Sequence, residues 1–325
     1  MQDAESVLQG AGQGPFSVGD GLRAGLTHGQ LNSAEFTSPH RGVRMRGVAT
    51  TPLEIARAFV PRLNEASVLG GVTAARVWGL PVPRRFDGDS TVQILVPSGR
   101  NRPVGRGILS RSIHDQLWDA RNLFGVPVAS PALTWATAAK HLELSELVVL
   151  GDALVATSTN YEGLVRPEPP PEGARTAPPL ATLDEMADIA QAWGKRPGGA
   201  ALRIAVTRIR CGVESPMETW TRHIIVAAGL PEPEVGVEVW NGTEFVGRVD
   251  LAYRAQKIAI EYEGDRHRTD KRQWRKDIGR INRLQEIDWF AIRATTAQLW
   301  PTPTRFVEQV RAALRRAEGG GGLGS

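Results

Sequence analysis

The chain has 325 residues, 41% of them hydrophobic and 23% charged, with a formal charge of +4. That length allows two domains of ordinary size, and the composition is that of folded protein rather than disorder. A lone cysteine, Cys211, excludes an intrachain disulfide and a cysteine-based zinc site, and no apolar run approaches the ~18 residues of a membrane span.

Cys211 reads as a small buried apolar residue. The polar N-terminus lacks the apolar stretch of a secretion signal, so a cytoplasmic protein with no membrane association is expected. Residues 1–22 form a loose, glycine-rich, flexible lead. Thr27 is placed to N-cap a short helix, and Arg41-Gly-Val-Arg-Met-Arg46 reads as a strand. Thr51-Pro-Leu-Glu54 is a helix start, with a capping-box Thr, Pro at the first helical position and Glu three residues on. Leu53, Ala56, Phe59, Val60 and Leu63 then recur at helical spacing. Thr73 is expected to cap a helix over Ala74–Gly79. Thr91–Val96 reads as a strand, Ser98–Gly107 as a basic loop, and Ile108–Ser112 as its continuation. Helices near Pro131–His141 and Ser145–Ala156 complete a domain over 23–164. Short helices with a basic strand–loop–strand match a winged-helix-like α/β module, and equally any small α/β domain. Arg41, Arg44, Arg46, Arg100, Arg102 and Arg106 are placed to contact phosphates.

Residues 165–180 are rich in proline and can form neither helix nor central strand, so they are expected to run extended as a linker. A second domain follows over 181–318, with a flexible glycine tail at 319–325. Leu183–Trp193 and Ala201–Arg210 read as helices. Ser215-Pro-Met-Glu218 starts a stronger one that runs to Gly229, with Glu218 closing a capping box. Glu234–Trp240 alternates like a half-buried strand. Asn241-Gly242 is a two-residue hairpin signal, so Thr243–Tyr253 should pair back on it, and Lys257–Glu263 gives a third strand. A basic helix over Thr269–Glu286, a strand over Trp289–Arg293 and a helix over Arg305–Ala317 close the chain. The expected fold class is mixed α+β (α/β).

Three carboxylates stand out against this pattern. Asp250, Glu261 and Glu263 sit in two otherwise apolar strands, where burying charge is costly without a partner. Glu261 and Glu263 share one strand face, where like charges repel unless a cation lies between them. Converging carboxylates suit a hard divalent cation such as Mg²⁺ (or Mn²⁺). Between Arg266 and Arg283 there are eight Lys or Arg against two Asp. Trp274, Ile278, Ile281 and Leu284 form a buried stripe on this helix, which leaves a nearly single-signed face. Lys271, Arg272, Arg275 and Arg280 are therefore candidates for nucleic-acid phosphate contacts. Pairing of Arg275 or Arg280 with the acids is the competing role. No phosphate-binding glycine loop, Gly-x-Ser-x-Gly or His-Glu-x-x-His is present.

Ser215-Pro-Met-Glu218, Gly247-Arg-Val-Asp250, Ile260-Glu-Tyr-Glu-Gly-Asp-Arg-His267, Arg275-Lys-Asp277 and Trp289-Phe-Ala-Ile-Arg293, in this order of elements, resemble the PD-(D/E)XK nuclease superfamily. More narrowly they resemble its Vsr-like endonuclease-type branch, over roughly residues 214–317. The resemblance implies an αβββαβ (restriction-endonuclease-like) core and a Mg²⁺-dependent endodeoxyribonuclease. It places the metal on Asp250 and Glu261, with the Tyr262 carbonyl as a further ligand and Glu218 beside the site. Glu263 stands where the family usually has Lys. Either it helps to hold a second metal, or another base substitutes (Lys257, Lys271 or, preferred, His267), or activity is lost. The N-terminal segments Leu26–Leu31, His40–Arg44, Ala75–Pro83 and Val148–Leu154 resemble the AbiEi-type antitoxin winged-helix family, which implies DNA binding and a toxin–antitoxin or defence partner. The alternative function is a non-enzymatic DNA-binding regulator with a degenerate nuclease domain. RNA cleavage stays open, and so does a homodimer, since nicking by a monomer and double-strand cutting by a dimer use the same local chemistry.

Overall fold

A computed structural model of the chain describes residues 14–264 and 271–320, the side chains of 271–278 and 320 excepted. The chain is mixed α+β and divides into two compact units. The first comprises Met1–Leu150, Gly163–Pro169 and Ala181–Val206, and the second Gly151–Glu162, Pro170–Leu180 and Thr207–Ser325. The proline-rich segment thus contributes to both. No helix among the described residues is long and apolar enough to cross a membrane.

In the first unit, a two-stranded pair of β1 (Phe16–Ser17) and β2 (Val43–Arg44) accompanies α1 (Val18–Arg23), α2 (His28–Leu31) and α3 (Pro52–Phe59). Both predicted caps form. Thr27 and Thr51 each accept a hydrogen bond from the residue three ahead, and Gln30 and Glu54 reach back to close capping boxes. The strand expected over Arg41–Arg46 is shorter, because only Val43 and Arg44 find partners in β1, with a single further bridge from Met45 to Thr37.

A five-stranded mixed sheet follows, in the order β5-β4-β3-β7-β6, built from β3 (Val68–Leu69), β4 (Val92–Pro97), β5 (Ile108–Ile113), β6 (Ala120–Leu123) and β7 (Val126–Ala129). Helices α4 (Gly71–Val77), α5 (Pro131–Ala138), the first part of α6 (Leu144–Val155), α7 (Leu183–Trp193) and α8 (Gly199–Val206) complete the unit. Thr73 does not cap α4, which starts earlier, after Gly70. Its hydroxyl instead accepts from the Gln93 amide at 2.9 Å and donates to Thr91 O at 3.3 Å, tying the helix to β4. Trp78, Trp135 and Trp193 are fully buried, and each indole N–H reaches a backbone carbonyl, of Ala129, Leu147 and Pro197 respectively. Large aromatic burial with a satisfied polar edge is what stabilises such a core. The helix expected to reach Arg210 stops at Val206, and the Arg210 amide goes to Asp152 Oδ1 at 2.8 Å instead of continuing the helical ladder.

The second unit is built on a four-stranded sheet of order β11-β10-β9-β8, from β8 (Glu234–Asn241), β9 (Glu244–Tyr253), β10 (Ile258–Glu263) and β11 (Phe290–Thr295). The first three form an antiparallel meander and β11 lies parallel to β10. Helix α9 (Pro216–Ala227) precedes the meander, α10 (Lys271–Glu286) separates β10 from β11, and α11 (Thr296–Leu299) and α12 (Thr304–Gly320) end the unit. One core cluster joins Leu251, Ile260 and Ile292 of the sheet to Ile225 of α9 and Phe306 and Val310 of α12. Another joins Val237, Val249, Ala252 and Ala259 to Leu284 of α10. The β8–β9 turn lies one residue later than predicted. Asn241 pairs with Glu244, leaving Gly242 and Thr243 as the loop, with Gly242 at φ +61°. Glycine first with positive φ is the type II′ pattern, which matches the strand twist. Cys211, expected to be buried, is exposed in the loop ahead of α9.

The sheet changes face at one point. Val235 and Leu251 are paired and belong to the α9/α12 side, whereas the next pair, Val237 and Val249, belongs to the α10 side. Strict alternation would put residues two apart on the same face. Between them lie Gly236, at φ +59°, and Asp250. A Cβ on Gly236 would come within 2.5 Å of Arg248 Nη2 and 2.6 Å of Gly212 O. Gly236→Ala is therefore expected to cost about 1–3 kcal/mol, read as a lower urea midpoint. An unchanged midpoint would show that this backbone is not held.

Candidate active site

Asp250 sits where the sheet opens. Pairing between β9 and β10 ends at Leu251 and Ile260, while β10 continues against β11 to Glu263. Past that point the Asp250 carboxylate takes the place of the missing strand partner. Its Oδ2 accepts the Tyr262 amide at 2.8 Å. Burial pushes the Asp250 carboxyl up to about 6, against the lowering effects of the Tyr262 amide and the Arg280 and Arg248 charges. The Glu214 charge raises it further.

Glu218 lies in the first turn of α9, where Ser215 caps the helix by accepting the Glu218 amide at 3.3 Å. The capping box is not closed as predicted. Glu218 Oε2 accepts the Glu214 amide at 2.9 Å instead, one residue beyond the cap. The Glu218 side chain is buried, and desolvation raises its carboxyl well above the usual range. The Asp250 charge is the next largest cause, so the two acids stand close enough to repel.

Glu261 is buried on β10, and its Oε2 accepts from Arg280 Nη2 at 2.6 Å. Arg280 Nη1 also donates to Arg248 O at 2.7 Å, which fixes the guanidinium between β9 and β10. Gly247 makes room for it, since a Cβ there would lie 2.8 Å from Arg280 Cδ. Of the two roles considered for Arg280, pairing with the acids is the one its geometry displays. Glu263 has Arg293 Nη1 at 3.7 Å. Each of the two β10 acids therefore has its own arginine.

Glu214 and Arg248 are site residues that sequence reasoning missed in these roles. Arg248 does not neutralise Asp250 by a direct ion pair; its Nη1 lies 2.6 Å from Glu214 Oε1 and its Nη2 donates to Gly212 O at 2.6 Å. Glu214 also accepts from Ser158 Oγ and Asn160 Nδ2, both at 2.9 Å. Nothing in the local sequence marks this brace, because its partners come from three separated segments. Beneath it lies a second buried network. Asp152 Oδ2 accepts from Arg222 Nη2 at 2.7 Å and from Thr219 Oγ1 at 2.8 Å, while Arg222 Nη1 donates to Glu232 at 2.7 Å.

Other candidates are placed differently. Lys257, considered as a base, sits in the turn before β10 and donates to Ile287 O at 3.2 Å, at the opposite end of the strand from Glu261. His267 lies outside the described residues, as do the side chains of Lys271, Arg272 and Arg275. Arg44 spends its guanidinium on Leu31 O, Asn32 Oδ1, Ser38 Oγ and Val43 O, which makes it a brace for its own loop. Arg41 and Arg102 are exposed.

The donor set of Glu218, Asp250 and Glu261 is all oxygen, as a hard divalent cation requires. Among the described residues, no group of three or more His, Cys, Asp or Glu side chains is gathered closely enough to hold a metal ion. Arg280 already occupies Glu261, so a cation would compete with it there.

No protein-family description matches the chain, and no solved structure matches it. It is similar to two uncharacterised proteins of Mycobacterium tuberculosis, one from strain CDC 1551 / Oshkosh and one from strain ATCC 25618 / H37Rv. Each is 25% identical over 247 residues, which span 75% of this chain and 80% of the relative.

Proposed function

We propose that the chain is a metal-dependent DNA endonuclease whose first unit serves as a DNA-binding module. The observation that carries this reading is the pair of desolvated carboxylates, Asp250 and Glu218, whose charges repel, beside the buried Glu261. A fold does not accumulate like charge in a low-dielectric site without a cation or proton to offset it. The order of α9, the three-strand meander, α10, β11 and α12 agrees with the αβββαβ core of the PD-(D/E)XK nucleases. Asp250 and Glu261 then stand on that core's second and third strands. Bound there, Mg²⁺ or Mn²⁺ would polarise a phosphate and lower the pKa of a water. The chain's own residues would supply its ligands through Asp250 and Glu261, while Glu218 holds or releases a proton beside them. Arg280 would steady the developing negative charge once released from Glu261. In the first unit, α1 to α3 with the β1–β2 pair supports the winged-helix-like reading, and the exposed Arg41 and Arg102 would meet phosphates. DNA is the proposed partner, with a homodimer or a toxin–antitoxin or defence partner as further associations.

One observation favours a second reading, a DNA-binding regulator without cleavage. Arg280 fills the position opposite Glu261 that a cation would take. The two readings separate on supercoiled plasmid, mismatched duplexes and single strands, each with Mg²⁺, Mn²⁺ or EDTA. Cleavage with either metal and none in EDTA supports the nuclease. Intact binding with no cleavage in any condition supports the regulator. Arg280→Gln is expected to tighten Mg²⁺ binding about tenfold by removing the competing charge, measured by calorimetry. Unchanged or weaker binding would show that Arg280 and the cation do not share Glu261.

A further inference from the structure

The first unit holds a pocket that the nuclease reading does not use. It lies between β4, β5 and the end of α5, with Gln93, Ser110, Arg111, Thr137, Lys140 and His141 among its lining. Three of these are basic, and no acidic side chain among the described residues lines it. Arg111 lies against the Trp193 ring, 4.9 Å from its centroid, which fixes the guanidinium plane. Its Nη1 and the His141 Nε2 are buried with no hydrogen-bond partner among the described residues. Unmade hydrogen bonds at buried atoms are costly, and native structures leave few of them. The cations also disfavour one another. Burial lowers Arg111, Lys140 and His141 alike; Arg196 adds to the effect on Arg111, Arg111 to that on Lys140, and Lys140 and Arg111 to that on His141. Asp89 partly opposes it at His141.

We infer that this pocket binds a terminal phosphate group, with Arg111 Nη1 and His141 Nε2 as donors and the Lys140 ammonium completing the charge. A phosphomonoester dianion satisfies both orphaned atoms at once and offsets the clustered positive charge. The cavity, about 90 Å³, has room for a phosphoryl head. The rest of a ligand would extend past the exposed Leu109 at the rim. Such a group comes either from a small phosphomonoester or from the 5′ end of a nucleic-acid strand.

Calorimetric titration of the full chain in EDTA, with inorganic phosphate, AMP, adenosine, and one oligonucleotide carrying either a 5′-phosphate or a 5′-hydroxyl, tests this. EDTA keeps the result independent of the acid site in the second unit. AMP or the 5′-phosphorylated strand is expected to bind, and adenosine and the 5′-hydroxyl strand to bind at least about tenfold more weakly. Preference for AMP identifies the small-molecule source, and preference for the phosphorylated strand identifies the nucleic-acid end. Arg111→Gln and His141→Leu are each expected to weaken binding about tenfold or more, the leucine offering no donor. Should Arg111→Gln fail to fold for want of its Trp193 contact, His141→Leu carries the test. No binding of phosphate, AMP or the phosphorylated strand at millimolar concentration, or unaltered affinity in His141→Leu, overturns the inference.

Discussion

Asp250→Asn is expected to make the protein more stable at pH 8 while removing its cation response. The wild-type carboxyl is raised from its ordinary 3.8 to about 6, chiefly by burial. A raised folded-state pKa means that the folded state prefers the neutral form. The associated stability is therefore fully present below pH 3.8 and is lost as pH rises through about 6. At 1.36 kcal/mol per pKa unit, the ionised carboxylate costs up to about 3 kcal/mol at pH 8, with about 2 kcal/mol of the change falling between about pH 4.5 and pH 8. Asparagine keeps the acceptor for the Tyr262 amide and carries no charge to desolvate. Glu218 adds to the gain, because its carboxyl is raised by burial and then by the Asp250 charge, and the variant removes the second cause. Urea midpoints at several pH values would show a flatter profile for the variant than for the wild type. Added Mg²⁺ at pH 8 should stabilise the wild type by mass action and leave the variant unmoved. Parallel pH profiles and equal Mg²⁺ responses would remove Asp250 from the site.

The largest loss of stability is expected from Asp152→Ala. Asp152 and Arg222 are both almost wholly buried, at 0% and 1% exposure, so neither charge has water to fall back on. Asp152 accepts from Arg222, from Thr219 and from the Arg210 amide, which ties the end of α6 to α9 and to the chain leading into it. Removing the carboxylate leaves Arg222 buried with only Glu232 and the Arg208 carbonyl to receive its donors. Breaking one side of a buried pair costs about 3–5 kcal/mol. Because α9 also carries Glu218, the nuclease reading predicts that loss of this anchor lowers cleavage as well. Denaturant unfolding followed by circular dichroism reads the first effect. A loss under about 1 kcal/mol would show that water or Glu232 compensates for Asp152.

The candidate site was legible in the sequence where chemistry conflicted with pattern. Asp250 and Glu261 stood out because acids in apolar strands need a reason, and the structure buries Glu261 and desolvates Asp250. Caps were legible for the same local reason: Thr27 and Thr51 act within three residues of themselves. What sequence reading missed depends on distant segments. Glu214 and Arg248 look like ordinary surface charges until Ser158, Asn160 and Gly212 are brought to them. The face change at Gly236 is invisible to a period-two reading, which continues the alternation straight through it. Arg280 was legible only as a choice between two roles, phosphate contact from a nearly single-signed face or pairing with the acids, and it turns inward over Gly247 to Glu261.

The measurement that bears most directly on the acid site is single-turnover cleavage of supercoiled plasmid in Mg²⁺, wild type against Asp250→Asn, with DNA affinity measured in parallel. The nuclease reading predicts metal-dependent nicking or linearisation by the wild type, a loss of about 10²–10³-fold in the variant, about what removing one charge-stabilising group costs, and near-equal DNA binding by both. Equal cleavage by the two proteins, or binding without cleavage by either, would contradict it.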